Sequence, residues 1–167
     1  IMAINFGSGV GQVIQTVQNT SNLTSGVAAV AGSPVATGLT TQIYPKQTGS
    51  DFIITVAGFN LHNNASATNR GTKLFIYAQV NGSGSYSNVL NNKAVASHIT
   101  VSWVDFPGEF TVYCPNSAVS YTAGQYINFE PFYQRGDNNS TNTNYFHHTG
   151  GSGNGIQCQT IIQEVAS

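Results

Sequence analysis

KLFIYAQVN, residues 73–81, decides the fold class. Leu74, Ile76, Ala78 and Val80 alternate with Lys73, Phe75, Tyr77 and Gln79. A period of two sends successive side chains to opposite faces of a strand, and the aliphatic set points to a core. Later runs repeat the theme. In 125–134, Tyr126, Asn128, Glu130 and Phe132 alternate with Ile127, Phe129, Pro131 and Tyr133. In 97–106, Ile99, Val101, Trp103 and Asp105 alternate with Thr100, Ser102 and Val104. Residues 12–18, 39–44 (stopped by Pro45), 52–61, 110–114 (closed by Pro115) and 156–165 complete the strand candidates. No segment holds a 3.6-residue apolar period over three turns. About eight short strands separated by Gly/Asn/Ser clusters predict an all-β, jelly-roll-like two-sheet sandwich. The run 52–61 is apolar on both sides, which points to a central strand and to subunits packing on an outer face.

Charge is scarce. Charged residues are 7% of the chain, against about 25% in an ordinary soluble domain. Hydrophobic residues stay at 40%, so Asn, Gln, Ser, Thr and Gly have taken the place of charges. Such a surface is little affected by salt or pH and suits exposure outside a cell. The basic residues Lys46, Arg70, Lys73, Lys93 and Arg135 are scattered, which argues against nucleic acid and against a polybasic membrane site. No apolar run reaches the ~20 residues of a membrane-spanning helix. At 167 residues the expectation is one sandwich domain, 1–167, with an extended arm at 1–11 and a long polar and aromatic loop at 136–155. Ile1 precedes Met2, and residues 1–6 lack the basic segment and apolar core of a secretory leader. The expectation is a start at Met2 and no leader.

Chemistry-bearing motifs are few. There is no Gly-x-Ser-x-Gly elbow and no phosphate-binding loop. A glycosidase needs two carboxylates about 5–10 Å apart, and only Asp105, Glu109, Glu130 and Asp137 are placed to be considered. Asp105 precedes Phe106-Pro107-Gly108 and reads as a turn residue at a strand end. The expectation is a non-enzyme with no cofactor. His147 and His148 are adjacent, which in an extended chain sends their rings apart, so no metal site is expected. His62 and His98 stand alone and read as structural residues. The loop 136–155 is nearly free of aliphatic residues yet carries Tyr145, Phe146, His147 and His148. Aromatic anchors among small polar groups resemble a recognition surface, and these four are the candidate receptor-binding residues. The alternative is that Tyr145 and Phe146 tuck the loop onto the sandwich. Cys114 and Cys158 read as two buried thiols; a bridge between them would need Cα atoms within about 7 Å. The many Asn-x-Ser/Thr triplets follow from composition and are not read as glycosylation sites.

Several phrases, taken in order, resemble a β-sandwich domain of structural proteins in marine tailed bacteriophages. They are GQVIQTVQ at 11–18, TGLTTQIYPK at 37–46 followed by DFIITV at 51–56, ITVSWVDFP at 99–107 and TIIQEVA at 160–166. They span most of the chain. The resemblance implies a tail-fibre or capsid-appendage domain, a trimer, with no catalytic residues to carry over. The segment 144–148 has no counterpart in it, and no long fibre shaft is present. YTAGQYI at 121–127 bears a looser likeness to trimeric jelly rolls of the tumour-necrosis-factor and C1q type.

These readings converge on a virion protein: a tail-fibre tip, knob or capsid appendage. Its expected partners are itself as a homotrimer, other virion proteins, and a host surface glycan or protein. Neither nucleic acid nor membrane insertion is expected. The competing readings are a secreted carbohydrate-binding module, a capsid-cementing protein without a receptor, and a carbohydrate-active enzyme.

Overall fold

The computed structural model describes residues 11–23, 27–29, 33–63, 70–91, 93–94, 96–100, 105–135, 144–146 and 156–167. Its strands are β1 (Val13–Leu23), β2 (Val27–Ala29), β3 (Val35–Ala36), β4 (Thr41–Ile43), β5 (Asp51–Asn63), β6 (Arg70–Val80), β7 (Ser87–Asn88), β8 (Ala96–Thr100), β9 (Asp105–Cys114), β10 (Ile127–Arg135), β11 (Asn144–Phe146) and β12 (Ile156–Val165). A single 3-10 turn, Asn116–Ala118, is the only helical element among the described residues. The first sheet runs β1-β12-β5-β11-β2, with β9 also on β5; the second runs β3-β10-β6-β7, with β4 also on β10 and β8 also on β6. Every pairing is antiparallel. The molecule is therefore the jelly-roll-like, two-sheet sandwich that the alternating runs predict.

The two inner faces close over a core of large apolar side chains. Phe52, Ile54, Val56, Phe59 and Leu61 from β5 meet Leu74 and Ile76 from β6 and Ile127, Phe129 and Tyr133 from β10, all buried. Phe52 lies 5.3 Å from Phe129, a tilted pair that joins the sheets. Each such side chain contributes about 1.5–3 kcal/mol on leaving water. The outer side of β5 carries half-buried Ile53, Thr55 and Ala57, so its two-sided apolar character is real.

Glycine sets two details of β5. Gly58 has φ +74°, and a Cβ there would stand 2.5 Å from the Gln157 carbonyl oxygen. It marks the bulge between Ala57 and Phe59 where the register with β9 shifts. Opposite it, β11 pairs with residues 61–63 of β5 and β12 with residues 51–57 in the same direction. β11 and β12 are thus two collinear halves of one strand. Their neighbours β2 and β1 are arranged likewise.

Three sequence expectations change. The run 97–106 is not one strand: β8 belongs to the second sheet and β9 to the first. Phe106-Pro107-Gly108 is not a turn but part of β9. Proline is tolerated because, among the described residues, β9 pairs with β5 alone, leaving one side of the ladder without a partner strand. Gly108 is required there, since a Cβ would run into the Phe59 ring. The segment 136–155 is not a continuous loop, because Asn144–Phe146 forms β11 between β5 and β2. Of the expected arm, residues 1–10 lie outside the described residues, and Gly11 donates its N–H to the Ala166 carbonyl oxygen at 2.7 Å.

A buried carboxylate holds the connection from β4 to β5. Glu164, fully buried on β12, accepts from the backbone N–H groups of Lys46 and Gln47 at 2.9–3.0 Å, from Ser50 Oγ at 2.8 Å and from Gln15 Nε2 at 2.6 Å. Neutral donors satisfy the charge in place of a cation, which fits a chain with few cations.

Candidate functional site: an aromatic and amide face

The register of β10 on β6 sets Phe129 beside Ala78, Glu130 beside Tyr77, Phe132 beside Phe75 and Gln134 beside Lys73. Alternation then decides what each face carries. Leu74, Ile76, Ala78, Ile127, Phe129 and Tyr133 turn inward and are buried. Lys73, Phe75, Tyr77, Gln79, Asn128, Glu130, Phe132 and Gln134 turn outward. The two outward rows place aromatic rings against one another. Tyr77 stacks on Phe132 with centroids 4.2 Å apart and planes at 24°. Phe75 meets Tyr77 edge-on at 6.3 Å, and Tyr86, from the segment before β7, lies 5.6 Å from Phe132.

One strand over, β4 continues the face. Ile43 pairs with Ile127, so Tyr44 falls beside Tyr126, with ring centroids 5.6 Å apart at 55°. Tyr44 is 55% exposed. Tyr126 is held by its backbone: its carbonyl accepts from Asn81 N–H at 2.9 Å, and its N–H donates to Asn81 Oδ1 at 3.2 Å. Gln42 Nε2 donates to Asn128 Oδ1 at 3.1 Å, an amide pair between the two aromatic groups.

Glu130 is the acidic group on this face, and it is committed. Its Oε1 accepts from Gly38 N–H at 2.8 Å and its Oε2 from Thr40 Oγ1 at 2.9 Å. These bonds close the irregular segment between β3 and β4. That segment stands opposite Pro131, which lacks an N–H to offer, while the Pro131 carbonyl accepts from the N–H and hydroxyl of Thr37. Burial pushes the Tyr86 hydroxyl up from its ordinary pKa; a hydrogen bond to Thr40 opposes this and the Glu130 carboxylate adds to it. Charge on the face is left to exposed Lys73 at one end. Rings and amides held in this way can stack on the C–H face of a sugar or on apolar side chains, with hydrogen-bonding groups close by.

The candidates from 136–155 fare differently. Phe146 is fully buried, stacked on Phe59 at 4.9 Å and 5.7 Å from Tyr133. Its strand sits inside the first sheet, so the ring belongs to the core and not to a contact surface. Tyr145 pairs in register with His62 and Ala28, and His62 pairs with Asp105. His147, His148 and Asp137 lie outside the described residues. Glu109, on β9, is exposed. Asp51 accepts from Tyr113 Oη and from Asn116 N–H, as Glu130 and Glu164 serve their own segments. Cys114 and Cys158 are buried free thiols. Cys114, on β9, pairs with Phe52 of β5, and Cys158 lies on β12, on the other side of β5, near Gly58. Six residues along a strand separate them by roughly 20 Å, so no bridge joins them.

Sequence reading did not find Tyr44, Tyr77, Tyr86, Tyr126 and Phe132 as a group. The signal was the aromatic content of the polar half of each alternation, and only the pairing of β6 with β10 assembles it.

No family model matches the chain, and no curated protein matches it. Among solved structures the chain is similar to infectious bursal disease virus, Gx strain: 14% identity over 100% of this chain and 43% of that one, TM-score 0.40. It is similar to Eiger TNF from S. frugiperda at 8% identity over 93% and 95%, TM-score 0.41. It is also similar to the CBM22-1-GH10 modules of Clostridium thermocellum xylanase 10B at 11% identity over 93% and 25%, TM-score 0.33. The chain spans less than half the length of the bursal disease virus chain.

Proposed function

We propose that this chain is a non-enzymatic structural protein of a bacteriophage virion: a tail-fibre tip, knob or capsid appendage. It assembles as a homotrimer and contacts a host surface glycan or protein. The observation that carries this reading is the outer face of the second sheet, where Tyr44, Tyr126, Tyr77, Phe132 and Tyr86 stand among amides with Glu130 already bound. The scarcity of charge across the chain supports an exposed setting. Self-assembly is supported by the first sheet, whose two central outer rows Thr16–Gln163–Ile53–Tyr113 and Gln18–Ile161–Thr55–Thr111 contain no charged residue, the charges of Asp51 and Glu109 standing in the rows on either side. Three copies would raise weak single contacts into useful avidity. The absence of catalysis is supported by Asp51, Glu130 and Glu164, each spent on its own turn.

The test is binding of purified protein to host surface polysaccharide and to host cells, with Tyr44→Ala/Tyr126→Ala beside the unaltered chain. Loss in the variant is expected; equal binding overturns the assigned face. Light scattering reads assembly, and a clean monomer at micromolar concentration sinks the trimer. The same aromatic face favours a second reading, a secreted carbohydrate-binding module, which would bind glycan fully as a monomer. A capsid-cementing protein would show no glycan affinity.

A further inference from the structure

At the free edge of the second sheet, three depressions adjoin around the turn Asn116–Ala118. One of 440 Å³ lies between Asn88–Asn91 and Pro115–Ala118. One of 230 Å³ lies between Gln79, Ser85, Ser87 and Ser120 and shares Ala118 with the first. One of 250 Å³ lies between Thr48, Asn116 and Tyr121 and shares Val119 and Ser120 with the second. They are linked by the shared residues Ala118, Val119 and Ser120 and together are called the groove.

Its chemistry is uniform. The floor is apolar: Val89 and Val119 are buried, and Ala118 and Leu90 are half-buried. The rim is neutral and polar. Ser85, Ser87, Ser117 and Ser120 are exposed, and their hydroxyls make no hydrogen bond to the described residues. The amides beside them are fixed by one end. Asn116 Nδ2 donates to the Gly49 carbonyl at 2.8 Å, and Gln79 Nε2 to the Gly84 carbonyl at 2.7 Å. Each amide therefore keeps a carbonyl oxygen to offer. Among the described residues no Lys, Arg, Asp or Glu lines the three depressions, and the nearby Asp51 carboxylate is engaged by the Asn116 N–H and the Tyr113 hydroxyl. The Tyr121 hydroxyl there is engaged with the carbonyls of Gln47 and Ser50.

An anionic or cationic ligand would lose water in this groove and gain no opposite charge. A flat apolar ligand would leave the hydroxyl rim unused. A pyranose chain fits both parts, with C–H faces for the floor and hydroxyls that donate to amide oxygens and exchange with serines. We propose that the groove around Asn116–Ser120 binds a short neutral oligosaccharide. The site meets the sheet face at Gln79 but uses none of its aromatic rings, and it would serve a virion protein or a secreted module alike.

The experiment is calorimetry and saturation-transfer NMR with neutral gluco-, manno- and galacto-configured hexasaccharides, alongside sialylated and sulfated ones. The variants are Ser117→Ala/Ser120→Ala, Ser120→Trp and, as a second blocking change, Ser117→Trp. All sit at exposed positions, and thermal melting checks their folding. Expected are binding of a neutral member, a loss of about tenfold in the double alanine variant, and abolition by either tryptophan. Tyr44→Ala/Tyr126→Ala should keep this binding. Sugar binding that survives both tryptophan variants but fails in the tyrosine variant overturns the groove and favours the sheet face. Preference for the charged sugars, or no neutral binding at about 1 mM, also overturns it. Host-cell binding that persists with the groove blocked leaves the receptor reading standing by itself.

Discussion

Phe146 shows how a side chain's neighbours outweigh its local sequence. Read in a polar loop it looks like a contact residue; seated against Phe59 and Tyr133 it is core. Phe146→Ala should cost about 3–5 kcal/mol in urea unfolding, far more than truncation of an exposed ring. Glu164 makes the opposite point, as a buried carboxylate held by neutral donors among the described residues. Glu164→Gln puts an N–H₂ where donors already converge and should cost ~1–3 kcal/mol for each acceptor lost. The two cysteines give a pH prediction. Burial pushes both thiols from 9.0 up to about 12. A raised thiol pKa means the folded chain holds its protons longer than the unfolded chain. This contribution is fully present below pH 9 and is lost as pH rises from 9 toward 12. Alkaline melting curves should fall through that window, and a thiol reagent at neutral pH should label neither cysteine until denaturant is added.

At the scale of strands, Gly58 is the position where one methyl group matters most. Its φ of +74° and the nearby Gln157 carbonyl leave no room for a side chain. Gly58→Ala should destabilise by about 2 kcal/mol or more, read as a lowered midpoint with an unchanged denaturant slope. The strands themselves were largely legible. Alternation in 73–80 and 126–134 correctly separated inward from outward side chains, and 156–165 coincides with β12. Proline misled the reading at 107, because a sequence does not say which strand lies at an edge. β11 was hidden because three residues carry no period, and its pairing with β5 and β2 is entirely long-range. The aromatic face was half visible: each row could be read alone, but the register that joins Tyr77 to Phe132 spans more than fifty residues of intervening chain.

For the whole molecule, low charge makes salt a diagnostic. With few charges to screen, melting temperature and partner binding should change little between low and physiological ionic strength; a steep loss of binding would contradict a recognition surface built from rings and amides. The collinear β11 and β12 carry one more consequence. Their registers on β5 are fixed separately, β11 on residues 61–63 and β12 on residues 51–57. Doubling the length of 147–155 should cost only about 0.6 kcal/mol of closure entropy. The break is therefore a natural port for grafting: a foreign peptide inserted there should be displayed by a scaffold whose strand registers are set elsewhere.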